Sequence, residues 1–186
     1  MNPYWKFRMR SLMVALAIAG LRFAGLASDD ATAAALPKDP CALLKPVDIQ
    51  GLAPNAQIGS GVLTTDAPIA TACSYSWGPR TTEWGETELN VIVTDSSQFW
   101  RGGLSGEDIK QRVLVEVRKG GPGASEILGI GEGAVFTADP KMHNATAKAY
   151  LVKTKGALLM VTFHGGNPIA QKEKIVALLR TAAARL

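Results

Sequence analysis

Histidine and cysteine are scarce in this chain: 186 residues hold two of each, Cys41, Cys73, His143 and His164. A structural zinc site takes four such ligands from closely spaced pairs. The two cysteines lie 32 positions apart, so no metal centre is expected. Also missing are Gly-x-Ser-x-Gly, His-Glu-x-x-His and a Walker loop, which removes the readable hydrolase, metalloprotease and nucleotide-phosphate signatures. There is no internal repeat and no low-complexity tract. The clean apolar run, SLMVALAIAGL at 11–21, falls well short of the ~20 residues that span a bilayer.

What is present suits one globular domain: 47% apolar and 19% charged residues, in a length that supports a real core. The N-terminus reads as a signal peptide over residues 1–28. Lys6, Arg8 and Arg10 form its basic region, 11–21 its apolar region, and small residues allow cleavage after Ala27 or as late as Ala35. Arg22 interrupts the apolar run. Residues 1–28 contain no acid, and their four cations account for the whole net charge of +4. The basic pI therefore belongs to the leader, and no nucleic-acid partner is expected. After cleavage no stable membrane span remains, and the mature domain, 39–186, is expected in the periplasm or outside the cell.

Cys41 stands in "LPKDPCALLKP", after Asp39 and Pro40 and well past the apolar run, a poor position for lipidation. Two cysteines in an exported chain most simply form one disulfide, Cys41 to Cys73. The alternative is a free thiol made acidic by a helix N-terminus.

Asp39 as N-cap and Pro40 at the first position open a helical turn, and Pro46 opens a second with Asp48 in its first turn. Leu43, Leu44, Val47 and Leu52 are expected to face the core, and 53–70 to be a loop or irregular edge strand. The spacing then changes to period two. Cys73, Tyr75 and Trp77 share one face of a strand, and Leu89, Val91 and Val93 one face of the next. Ser105 caps a helix to about Arg118, with Ile109, Val113 and Val117 inward and Leu114 beside them. Strands over 134–139 and 145–153 follow, and then "ALLMVTFHG", the most apolar strand and the expected centre. Asn167 and Pro168 begin a C-terminal helix buried through Ile175, Leu178, Leu179, Ala182 and Leu186. The expected class is α+β, a mostly antiparallel sheet packed with helices.

"GIGEGA", 129–134, is not a dinucleotide fingerprint, because a strand-like segment follows it where the fingerprint needs a helix. Its glycines are expected to serve positive φ and close backbone approach. No cofactor is expected. Asp39 and Asp48 are explained as caps. His164 is read as a strand-end histidine held by backbone, His143 as solvated in a turn. The expected partner-binding residues are Trp84, Trp100 and Arg101, since aromatic and arginine side chains in exposed connections anchor interfaces.

"DPCALL", "CSYSW" and "GIGEGA" before a strand together resemble a group of bacterial exported proteins and lipoproteins of unknown function that begin Asp-Pro-Cys-x-Leu-Leu. The resemblance runs from Asp39 to the C-terminal helix. It implies a PsbP-like α/β/α sandwich and makes Cys41 and Cys73 the group's paired cysteines. The chain departs from the lipoprotein members in lacking a cysteine at the cleavage site, and no catalytic residues carry over. The expected function is binding of an envelope protein or a small apolar ligand. The alternatives are an immunity or inhibitor protein against a toxin or hydrolase, and an enzyme using His164.

Overall fold

The structure, a computed structural model, describes residues 36–37, 39–67, 69–78, 87–96 and 105–186. The leader and the three expected partner-binding residues, Trp84, Trp100 and Arg101, lie outside the described residues.

The class is α+β. Among the described residues seven strands form one antiparallel sheet: β1 (Val62–Ala67), β2 (Ala70–Trp77), β3 (Thr87–Asp95), β4 (Ser125–Ile127), β5 (Gly133–Asp139), β6 (Asn144–Leu151) and β7 (Ala157–His164). Their order, β1-β2-β3-β7-β6-β5-β4, is that of two meanders whose last strands pair at the centre. From Glu88 opposite His164 to Asp95 opposite Ala157, β3 and β7 are in unbroken register. The segment ALLMVTFH is thus central, as its strongly apolar character predicts. β1 is an edge strand with a register irregularity between Leu63 and Thr65.

One face of the sheet is closed by helices. A 3-10 turn (Pro40–Ala42), with Asp39 accepting the Cys41 amide at 2.9 Å, packs on β1, β2 and β3. The helical turn α1 (Pro46–Ile49) follows, and the C-terminal helix α4 (Lys172–Arg185) packs on β6 and β7. Beneath them Leu89, Val91, Val93, Ala147, Leu159 and Val161 are fully buried, with Ile49, Ile175 and Leu179 above. Burial of this kind supplies the main drive for folding, about 1.5–3 kcal/mol for each large side chain. The other face carries a single described long helix, α2 (Gly106–Lys119), which packs on β4 and β5. Ser105 and Asp108 close its capping box, Ser105 Oγ accepting the Asp108 amide at 3.1 Å and Asp108 accepting the Ser105 amide at 2.8 Å. Ile109 and Val113 meet Val135 and Tyr150 beneath it.

Several expectations are corrected. Val47 is exposed (74%), and Ile49 takes the inward position, because α1 is one turn long and presents a single residue to the core. Leu114 is also exposed, since α2 rests on the sheet along the narrow line of Ile109, Val113 and the partly buried Val117. The strand expected over 145–153 ends at Leu151, where Val152–Lys155 forms a helical turn, α3, closed by Gly156 in the left-handed region. Asn167 caps a turn, accepting the Ala170 amide at 3.2 Å, and α4 itself begins at Lys172. The short strand β4 lies past the end of the helix, where no element is expected.

Candidate binding face

The disulfide Cys41–Cys73 is formed, with Cα atoms 5.1 Å apart, and ties the 3-10 turn to β2. Neither sulfur is therefore a nucleophile or a metal ligand in this state. Around it the N-terminal segment is held by polar contacts. The Tyr75 hydroxyl lies 2.5 Å from the Leu44 carbonyl and 3.0 Å from that of Cys41, sharing one proton between them. Burial, reinforced by the charges of Asp39 and Asp48, pushes its pKa up to about 12. Gly61 is required beside the bridge: a Cβ there would meet Cys73 Sγ and lie 2.7 Å from Tyr75 Cζ. Asp48 combines its capping contact to the Lys45 amide (2.7 Å) with a two-point pair to Arg185, at 2.5 and 3.1 Å. Arg185 also donates to the Leu43 carbonyl at 3.1 Å, so the last turn of α4 is clamped to α1. The guanidinium holds the Asp48 carboxyl below the usual carboxylate range. All of this chemistry lies on the closed side and is spent on structure.

The opposite side is different. No described helix covers β2, β3 and β7 there, and the registers align their outward side chains in rows. One row runs Ser74, Asn90, Thr162, Thr146, Thr137 across five strands, and the next runs Ser76, Glu88, His164, Asn144, Asp139. Every one of these residues is half-buried or exposed. The Ser74 hydroxyl donates to Glu88 at 2.7 Å, linking the two rows. Neighbouring strands are spaced by roughly 4.8 Å, so each row presents polar groups at regular intervals on one broad surface.

Beside α2 the same face carries a polar cluster outside these rows. Glu116 accepts the Tyr150 hydroxyl in a short hydrogen bond and the Lys148 ammonium at 2.8 Å. Burial, followed by the Glu116 hydrogen bond, raises the Tyr150 pKa. At the corner of the face a groove of 590 Å³ opens between the end of α2 and the β5–β6 turn, lined by Lys119, Thr137, Asp139, Lys141 and Asn144 among others. Among the described residues no group of three or more His, Cys, Asp and Glu side chains is placed to hold a metal.

His164 is not the backbone-held residue expected. It is exposed at the end of β7, opposite Glu88 on one side and Asn144 on the other. His143 is not simply solvated: it is half-buried, adopts φ +48°, and sets Nδ1 3.0 Å from the Gly166 carbonyl. GIGEGA leads into β5, with Gly129 and Gly131 at positive φ and Gly131 pressed against the Tyr150 carbonyl, as its glycine spacing predicts. The residues that build the open face went unread: Thr137, Thr146 and Thr162 are separate solvent-side positions in three strands, and only strand order brings them together.

Comparison of the chain with protein-family models, with curated proteins and with solved structures finds no match.

Proposed function

We propose that this chain is an exported, disulfide-stabilised domain that binds a protein of the bacterial envelope through the open face of its sheet. The observation that carries the reading is the pair of polar rows on that face, set against a closed side where Asp48, Tyr75 and Arg185 are already engaged with neighbouring groups. A surface that mixes hydroxyls and amides with the carboxylates of Glu88 and Asp139 suits a reversible, wet interface more than an obligate apolar one. The space between sheet and α4 is filled by side chains, which favours a protein partner over a small apolar ligand held there. The leader and the disulfide support work in the periplasm or outside the cell. An immunity or inhibitor protein would be one form of the same reading. So would membership of the exported Asp-Pro-Cys-x-Leu-Leu group with a PsbP-like sandwich, which helices on both faces of one sheet support.

A photo-crosslinking residue placed at Asn90 or Thr162 in the producing cell tests this. Discrete adducts from both positions, and none from the exposed Val47 on the closed side, are expected. Adducts absent from the open face, or identical from Val47, refute it. A second reading has one observation in its favour. His164 and Glu88 are exposed and half-buried neighbours on adjacent strands, an arrangement a general acid–base pair would need. That reading requires His164→Ala to abolish a turnover that the wild-type protein catalyses.

A further inference from the structure

The loop that joins β4 to β5, Gly129 to Glu132, has no part in the open face. With α3 and α4 it walls a groove of 380 Å³, in which Gly129, Ile130 and Gly131 face Thr154, Lys155 and Arg180. Two cations line this groove and no acid does; Glu132, the acid of the loop, is not among the lining residues. Arg180 is held over the loop, its Nη2 donating to the Leu128 carbonyl at 3.3 Å. Gly129 and Gly131 have φ of +77° and +55°. Leu128 and Gly129 form a hydrogen-bonded turn, and the amides of Gly129 and Gly131 donate to no other backbone group among the described residues. Backbone amides in turns of this kind line concavities that receive anions. The missing Cβ of Gly129, which has open space around it, leaves the backbone there open to close approach, while Gly131 packs against the Tyr150 carbonyl and holds the turn. Amides, a guanidinium, an ammonium and a hydroxyl together offer more donors than a carboxylate's two oxygens use, and match the several oxygens of a phosphate.

We propose that this groove binds a phosphate group, carried either by a small soluble phosphate ester or by the headgroup of an anionic lipid. The proposal rests on the groove alone and is independent of the open-face reading.

The test is a titration of the isotope-labelled, disulfide-intact protein with inorganic phosphate, followed through its backbone amides. Saturable shifts centred on Gly129, Ile130 and Gly131 are expected, weakened about tenfold or more in Lys155→Ala/Arg180→Ala. Both substituted side chains are exposed, and an unchanged spectrum elsewhere verifies the fold. Should that variant lose its dispersion, Thr154→Val with Lys155→Ala takes its place, with the same expectation of weaker binding. Shifts that do not saturate, that spread over the surface lysines, or that persist unchanged in the variant overturn the proposal. Sedimentation with phosphatidylglycerol vesicles, against phosphatidylcholine vesicles, then separates the sources. Binding to the anionic vesicles that free phosphate reverses assigns the headgroup. No vesicle binding beside a positive phosphate titration assigns a soluble ester.

Discussion

Removing the Cys41–Cys73 bridge separates two ways of holding the N-terminal segment. The bridge spans 32 positions. In the chain-entropy account a loop of about that length restricts the unfolded chain by roughly 3.7 kcal/mol. The folded side has its own hold on the same segment. Leu43, Leu44 and Ile49 are buried, the Tyr75 hydroxyl reaches the Cys41 and Leu44 carbonyls, and Arg185 clamps Leu43 and Asp48. Cys41→Ala/Cys73→Ala is therefore expected to fold, at a loss of about 3–4 kcal/mol. The void left by the buried Cys73 sulfur would add up to about 1 kcal/mol. For a domain of this size the melting temperature should fall by roughly 7–15 °C. Urea unfolding of the oxidised, reduced and double-alanine proteins gives the measurement, with the bridge verified by mass after alkylation. The m value should rise when the bridge is absent, because the unfolded chain then exposes more surface. Equal stability of the bridged and unbridged proteins, within about 1 kcal/mol, would refute the reasoning: the unfolded chain would then already keep the two cysteines close.

Three further perturbations follow from single contacts. The Asp48 carboxyl is held below its usual range by Arg185, so its unfolded form binds protons more readily, and the pair stabilises the fold fully above the unfolded carboxyl pKa of about 3.9. That contribution disappears as pH falls through the lowered native value. Arg185→Gln is expected to cost roughly 1–2 kcal/mol at pH 7 and to flatten the acid limb of urea midpoints between about pH 5 and 2; an unchanged limb would contradict it. Tyr75, raised to about 12, shows the opposite sign: its contribution is complete below the unfolded phenol's pKa of about 10 and is lost as pH climbs toward 12. Tyr75→Phe should cost about 1–2 kcal/mol at neutral pH and remove one late-titrating phenol from the absorbance at 295 nm. Thr71 is buried with a hydroxyl that has no partner, so Thr71→Val should stabilise by about 1 kcal/mol; a lower urea midpoint would show that the hydroxyl is satisfied after all.

Much of the fold was legible because its elements obey local rules. The alternation in CSYSW and in LNVIV fixed which side chains point inward, and Ser105 with Asp108 marked the start of α2 to the residue. Asp39-Pro40 and Pro46 with Asp48 marked the two short turns in the same way. The failures came where tertiary placement decides. Val47 and Ile49 are both apolar, and one turn of helix gives periodicity too little length to choose between them. Leu114 sits at a spacing that would be buried if α2 lay across a wide surface, but the helix meets the sheet along the line of Ile109, Val113 and Val117, with Glu116 beside it. Ser125–Ile127 is too short to alternate, and becomes a strand because β5 offers it an edge.

The candidate face was illegible for a stronger reason. Parity along a strand is local, but adjacency between strands is not. Ser74, Asn90, Thr137, Thr146 and Thr162 each read as an ordinary solvent-side residue, and nothing in their own neighbourhoods distinguishes them. They become one row because β3, the last strand of the first meander, pairs with β7, the last strand of the second. The same pairing sets Glu88 beside His164, residues 76 positions apart in the chain. A polar row on a sheet can thus be built from residues that carry no motif at all, and selection for binding would act on register as much as on residue type. On the proposed reading, the information that builds the face lies in strand order. Shifting β7 by one residue against β3 would exchange Thr162 and His164 for Val161 and Phe163 on the open face, and would end both the core and the face together.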